Sequence, residues 1–293
     1  MKITVSGASG FIGRRLTARL RAHGHSVHIL SRRAADDATV WDPLAGPPPP
    51  AGLADADAVI HLAGEPVAQR WTPQAKKRIR DSRVTGTRNL VAGLARLERR
   101  PEVLISASAI GYYGARGDEL LTEASPPGRG FLAAVCIEWE REAEMAQALG
   151  MRAVQVRTGM VLAAGGGALA RMLPAFRLFA GATLGPGTQW MSWIDLEDLC
   201  DLIEYALSSP LRGPVNGTAP HPVTNREFTR TLASALGRPA LFRIPTLALR
   251  ALFGEMAGVL LDSQRVFPAV AREAGFEFEH SELPSALRTL RNR

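Results

Sequence analysis

The chain has 293 residues, 46% of them hydrophobic, and a formal net charge of +7; this fits one large domain, or a large and a small one, and excludes a disordered or fibrous chain. The charge comes largely from arginines scattered along the sequence without aromatic-basic interleaving, so no nucleic-acid partner is expected and the charge reads as mild attraction for phosphate-bearing ligands. Met1 leads straight into a strand and no apolar run is long enough to span a membrane, so neither a signal peptide nor a membrane partner is expected, the location is expected to be cytoplasmic, and Cys136 and Cys200 read as free thiols.

Ile3–Val5 is an apolar, β-branched run followed by Gly7, Gly10 and Gly13. An amphipathic helix with Leu16 and Leu20, a turn at Gly24 and a second apolar run, Val27–Leu30, come next. Strand, turn, helix and strand in this order form the first βαβ unit of a dinucleotide-binding sheet. Gly7 permits the tight turn, Gly10 clears the approach of a pyrophosphate, and Gly13 lets the helix pack close. The helix start offers free N–H groups and partial positive charge, so Ser9, Phe11 and Ile12 join the glycines as cofactor contacts. A glycine-rich turn without a ligand is the competing reading. The second strand ends in Ser31-Arg32-Arg33, with no acid before Asp36. An acid there would hold the ribose hydroxyls of NAD, whereas two guanidiniums suit a 2′-phosphate, so NADP is favoured. The alternative is that the arginines are solvated loop charges.

Thr39–Asp42 reads as a short third strand and Pro47–Pro50 as a stiff connection. Asp57–Leu62 is a buried strand in which His61 reads as structural more readily than catalytic. Leu62, Ala63 and Gly64 leave room for adenine or its ribose. Trp71–Leu97 is a long helix with Ile79, Val84, Leu90, Val91 and Leu94 on one face and basic residues on the other. Val103–Ser106 is the next strand. Ligand crevices open at the carboxyl ends of such strands, which makes Ser106 a cofactor contact and Ser108 a site candidate. A helix over Phe131–Leu149 and a strand over Ala153–Val156 follow, with Met160 and Val161 placed beside the cofactor. After the break at Gly165–Gly167, helices are read over Leu169–Phe179 and Leu196–Leu207, with a strand over Trp190–Ile194 between them. Thr224 caps a further helix, with Glu227 completing a capping box. Helices over Thr246–Phe253, Ser263–Ala274 and Ser281–Leu290 close the chain. The expected architecture is α/β: a Rossmann-type, doubly wound parallel sheet over residues 1–164, and a smaller, mainly helical substrate domain over 165–293. About 190–208 are expected to return to the first domain.

GASGFIG, HLAG and SASAIGYYG together resemble the extended short-chain dehydrogenase/reductases, the NAD-dependent epimerase and dehydratase group. Trp41-Asp42-Pro43, HLAGEP, RWTPQAKKRIRDSR, the VRTGMVL and QWMSWI runs and the closing LLDSQRVFPAVAREAGFEF are similar to one subgroup, epimerase-family proteins of unassigned activity. These motifs cover nearly the whole chain. The resemblance implies a Rossmann domain with a C-terminal substrate domain, NADP as cofactor, and Arg83 as a cofactor contact. From the residues alone Arg83 is a helix surface charge.

In catalytic members of the wider family a Tyr and a Lys stand four apart on one helix, and the phenol passes a proton as hydride moves. Aligned from Ser108, those positions fall on Phe131 and Val135, and neither can transfer a proton. Tyr112 and Tyr113 follow the strand that ends at Ser108 and are read as replacement phenols. Cys136 and Glu138 are weaker candidates on the Phe131 helix. No His, Cys and carboxylate cluster has metal-ligand spacing, so no metal is expected. Met172, Phe176, Trp190, Trp193 and Asn216 are expected to form a mostly apolar substrate pocket, with core packing as the alternative for each. The first functional reading is an NADP-dependent oxidoreductase or epimerase-like enzyme on a small polar substrate. The second is an NADPH-binding regulatory protein with little turnover. A homodimer is left open.

Overall fold

The computed structural model describes residues 1–288. Seven strands form the central sheet: β1 (Lys2–Ser6), β2 (Ser26–Ser31), β3 (Ala38–Val40), β4 (Ala58–His61), β5 (Val103–Ala109), β6 (Arg152–Thr158) and β7 (Gly213–Gly217). Their spatial order is β7-β6-β5-β4-β1-β2-β3, and every neighbouring pair is parallel. The strands read as apolar runs because both faces are covered. Ile3, Val5, Ile60, Ile105 and Val156 face α1 (Phe11–Ala22) and α5 (Leu196–Ser208). The alternate residues Val59, Leu104 and Ala153 pack with Leu90, Val91 and Leu94 of α2 (Pro73–Leu94). That two-residue alternation is the pleat of a strand.

Helix boundaries follow local chemistry. Thr72 caps α2, its side chain accepting from the Ala75 amide, with Pro73 as the first helical residue. The helix read over Phe131–Leu149 is α3 (Phe131–Glu144) and then a tighter turn over Met145–Leu149. α4 (Gly167–Arg177) and α6 (Asn225–Leu236) build a second core with Trp193, Phe228, Leu232 and Leu283. Thr224 caps α6 by accepting from the Glu227 amide at 3.2 Å. α7 (Thr246–Phe253) follows. The strand read over Trp190–Ile194 is two strands. Trp190–Met191 pairs with Val223–Thr224, and Trp193–Asp195 pairs with Met160–Leu162. The chain changes partners at Ser192, whose hydroxyl donates to the Gln264 carbonyl and accepts from the Val266 amide. The helix read over Ser263–Ala274 is instead a strand at Arg265–Val266 and a short helix at Ala269–Glu273. Pro268 explains the split, since it lacks an N–H and disfavours helical geometry at Phe267. The last helix covers Leu283–Arg288; the rest of the expected Ser281–Leu290 segment lies outside the described residues. Among those described, no helix is long and apolar enough to cross a membrane.

Candidate functional site

The strand order reverses between β1 and β4, and the carboxyl edge there is where open α/β sheets bind ligands. Gly7 leaves β1 with φ +78°, and a Cβ on it would lie 2.6 Å from the Ala63 nitrogen. A Cβ on Gly13 would lie 2.2 Å from the Gly7 carbonyl oxygen, so α1 starts hard against the turn. Gly10 is the N-cap; no side chain caps the helix, and its first turn holds no acid. The amides of Phe11, Ile12 and Gly13 therefore lack intrahelical partners, beside an exposed Ser9. This is a cradle for an anion built from backbone. Leu62, Ala63 and Gly64 follow β4 on the same edge, and Ser106 lies beside His61 in the next strand. Ser31 ends β2 and Arg32 and Arg33 follow it, with the Arg33 amide donating to Ser31 Oγ. Among the described residues neither guanidinium meets a carboxylate, and both are exposed.

A cavity of about 800 Å³ opens at this edge. Phe11, Arg83, Thr158, Met160 and Val161 line it from the sheet side. Met172, Trp190, Met191, Leu260 and Gln264 line it from the C-terminal half. Phe131 and Val135, at the Tyr and Lys positions of the wider family, present apolar side chains to it. Arg83 is sunk into the wall and donates to the carbonyls of Glu65 at 2.9 Å and Ile79 at 3.1 Å. Its guanidinium lies 5.2 Å from the Trp139 ring centroid, and a Cβ on Gly64 would come within 3.3 Å of it. Burial pushes its pKa down, so this cation gains from an anionic neighbour. Cys136 also lines the cavity, with its thiol pushed up to about 12 by burial, which keeps it protonated and inert.

The hydroxyls singled out in sequence are placed elsewhere. β5 continues to Ala109, so Ser108 sits within the sheet opposite Arg157 and is 4% exposed. Its Oγ donates to Glu140 Oε1 at 2.5 Å. Arg157 grips the same carboxylate with two bonds, at 2.9 and 2.8 Å. Arg157 also donates to the Tyr113 hydroxyl at 2.9 Å and stacks 3.5 Å from the Tyr112 ring centroid. Tyr113 is fully buried and donates to Asn216 Oδ1 at 2.7 Å, and burial pushes its pKa up to about 12. Asn216 in turn donates to the Phe267 carbonyl, and its amide is accepted by Glu123. Ser108, Tyr112, Tyr113 and Asn216 thus belong to a polar network beneath the cavity and do not line it. Of the expected pocket residues, Met172 and Trp190 line the cavity, whereas Phe176 and Trp193 are buried in the second core. Trp193 donates its indole N–H to the His221 carbonyl. Glu138 pairs with Arg80 at the surface. The sequence reading passed over Trp71, Lys76, Glu255, Asp262 and Gln264, all of which line the cavity. The signal for Trp71, Lys76, Asp262 and Gln264 was the HLAGEP–RWTPQAKK and LLDSQ segments as wholes, and Glu255 lies outside both. One triad among the described residues, Asp198, Glu279 and His280, brings ligand-type atoms within 4.8 Å of one another. The Asp198 carboxylate is occupied there by the amides of Glu279 and His280.

A seven-stranded parallel sheet, a backbone anion cradle at its switch point and a cavity closed by the C-terminal half define an extended Rossmann-type protein. The chain belongs to the NAD dependent epimerase/dehydratase family, whose profile matches residues 3–219. Residues 244–290 match DUF1731, a domain of unknown function. An epimerase family protein of Mycobacterium bovis is 44% identical over 97% of this chain and 96% of its own length. The chloroplastic SDR39U1 homolog of Arabidopsis thaliana is 42% identical over 99% of this chain and 86% of its own length. The crystal structure of the human epimerase family protein SDR39U1 (isoform2) with NADPH superposes with a TM-score of 0.91 at 33% identity, covering 100% of both chains.

Proposed function

We propose that the chain is an NADP(H)-binding, epimerase-type oxidoreductase acting on a small molecule held in the 800 Å³ cavity. One observation carries the reading: the same cavity is walled by cofactor-edge residues and by the C-terminal half. The cofactor fits the residues present. The backbone cradle at Gly7–Gly13 would hold the pyrophosphate, Arg32 and Arg33 the 2′-phosphate, and Leu62–Gly64 and Ser106 the adenosine side, with Arg83, Met160 and Val161 as further contacts. The NADPH-bound human relative supports this. When bound, the group supplies a hydride. The chain's own part is to orient the substrate and exclude water with Phe131, Leu132 and Val135. Asp262, whose carboxyl burial pushes up, is the wall residue suited to hold a proton for a substrate oxygen. Calorimetric titration tests the binding step: NADPH is expected to bind about a hundredfold tighter than NADH, from two charged hydrogen bonds of about 1.5–3 kcal/mol each. Equal affinities or a preference for NADH overturn it. A second reading, an NADPH-responsive regulator with little turnover, is supported by the confinement of Ser108 and Tyr113 to the buried network. Tight NADPH binding without oxidation by any member of a carbonyl-compound panel favours that second reading.

A further inference from the structure

One ion pair crosses the cavity wall between the two halves of the chain. Lys76, in the first turn of α2, pairs with Glu255, in the turn Gly254–Ala257 after α7. The two ends are not equivalent. The Lys76 side chain is 29% exposed and that of Glu255 63%, so the cation is the inner member and the carboxylate stands at the rim. Lys76 Nζ lies 5.3 Å from the centroid of the Phe131 ring, and Trp71 meets that ring edge-on at 5.1 Å. The inner end of the pair thus stands on an aromatic wall at the position where the wider family carries its catalytic tyrosine.

Glu255 is the more exposed member of the pair. It belongs to the segment 254–262, which also brings Val259, Leu260 and Asp262 to the cavity. Behind that segment lies a second cavity of about 360 Å³, lined by Arg250, Glu255 and Asp262. Glu255 therefore borders Lys76 on one side and a space holding another cation on the other. An ion pair this exposed adds little to stability, so exchanging its carboxylate for another costs little. A carboxylate inside the cavity is less screened by water than one at the rim, and is the stronger partner where its contact with Lys76 outweighs its desolvation, which the cations Arg83 and Arg129 on the same wall also offset.

We propose that the cavity takes a ligand with an apolar body and one carboxylate, that Lys76 grips this carboxylate, and that Glu255 is the internal stand-in the ligand displaces. This rests on the reading of the cavity as the substrate site and names the substrate class. The aromatic and aliphatic side chains of Trp71, Phe131, Met172, Trp190 and Leu260 suit the apolar body.

The test uses the full chain with saturating NADPH and two probes of one shape, 2-naphthoate and 2-naphthalenemethanol, titrated calorimetrically. The naphthoate is expected to bind at least about tenfold tighter than the alcohol. Lys76→Met is expected to abolish that difference, and Lys76→Arg to keep it. Glu255→Gln, by removing the competing carboxylate, is expected to raise naphthoate affinity about threefold or more while leaving the alcohol unchanged. NADPH affinity, measured on the same variants, is expected to stay within about twofold of wild type. Equal affinity for the two probes, no binding of either, or a Glu255→Gln variant that binds naphthoate no better overturns the proposal. Failure of wild type to bind NADPH overturns the functional reading instead, so the two failures are told apart. Should Lys76→Met not fold, the Glu255→Gln arm decides alone.

Discussion

Replacing Glu140 by Gln should destabilise the fold by about 3–5 kcal/mol, the usual loss when one member of a buried ion pair is removed. The magnitude follows from the surroundings. The Arg157 side chain is 3% exposed and that of Glu140 13%, so water cannot stand in for the missing charge. Arg157 would keep the single amide oxygen of the variant side chain, the Tyr113 hydroxyl, a long contact to the Glu123 carbonyl and the Tyr112 ring, and would face an NH2 group in place of its second carboxylate oxygen. For a chain of this size about 1 kcal/mol corresponds to about 2 °C in Tm, which gives a fall of roughly 6–10 °C. Urea unfolding followed by circular dichroism, without cofactor, measures the loss. The double variant Glu140→Leu with Arg157→Met is expected to recover most of it, since matched apolar residues replace such a pair at little cost. A Glu140→Gln loss under about 1 kcal/mol, or a double variant as unstable as the sum of its singles, would refute the network as a structural key. It would also reopen the case for Ser108 and Tyr113 as free hydroxyls.

Gly13→Ala should destabilise the chain by roughly 1–3 kcal/mol and weaken NADPH binding at least about tenfold, because its Cβ would overlap the Gly7 carbonyl; helix propensity alone favours Ala by about 1 kcal/mol, so a more stable variant with normal affinity sinks the argument. Arg32→Ala with Arg33→Ala should cut NADPH affinity about a hundredfold and leave NADH unchanged, and calorimetry with both nucleotides decides it. His61 is held neutral by burial, its pKa pushed down to about 4. Its folded value is below the unfolded value of about 6.5, so the unfolded chain binds the proton first and stability is lost as pH falls from about 6.5 towards 4, by roughly 3 kcal/mol in total. His61→Gln should flatten that part of the pH–stability curve, and parallel curves for wild type and variant would rule it out.

The glycine turn was legible because its spacing is local: three residues within seven positions do one job at one strand end. The strands were legible because both faces of the sheet are covered and the runs are apolar throughout. The Ser108–Glu140–Arg157–Tyr113–Asn216 network was not. Its members come from β5, α3, β6, the turn after β5 and β7, and no periodicity within one element signals a partner on another. Ser108 read as a strand-end residue because nothing local showed that Arg157 and Thr158 would extend the pairing to Ala109. Lys76 read as one of many charges on a basic helix face, and only the fold of residues 254–262 against α2 separates it from Lys77, which pairs with Asp81 at the surface. Segment 263–274 failed for a simpler reason, since its apolar spacing suits a helix but Pro268 stops one.

The late return of β7 to the sheet bears on how the chain is made. It leaves the sheet at Thr158 and comes back only at Gly213, after building α4 and α5. When the first half has emerged from a ribosome, β6 is therefore an open edge. Leu16 and Leu20 on α1 still lack Ile194, Leu199 and Ile203, which complete their core. Such an intermediate offers an unpaired strand and a bare apolar face, the two features that drive nascent chains to aggregate. A message truncated just beyond the Gly165–Gly167 break should yield an insoluble product. One that runs past Gly217 delivers the edge strand and the covering helix together but still lacks Phe228, Leu232 and Leu283 of the second core, so a soluble product is expected only once those residues too have been made.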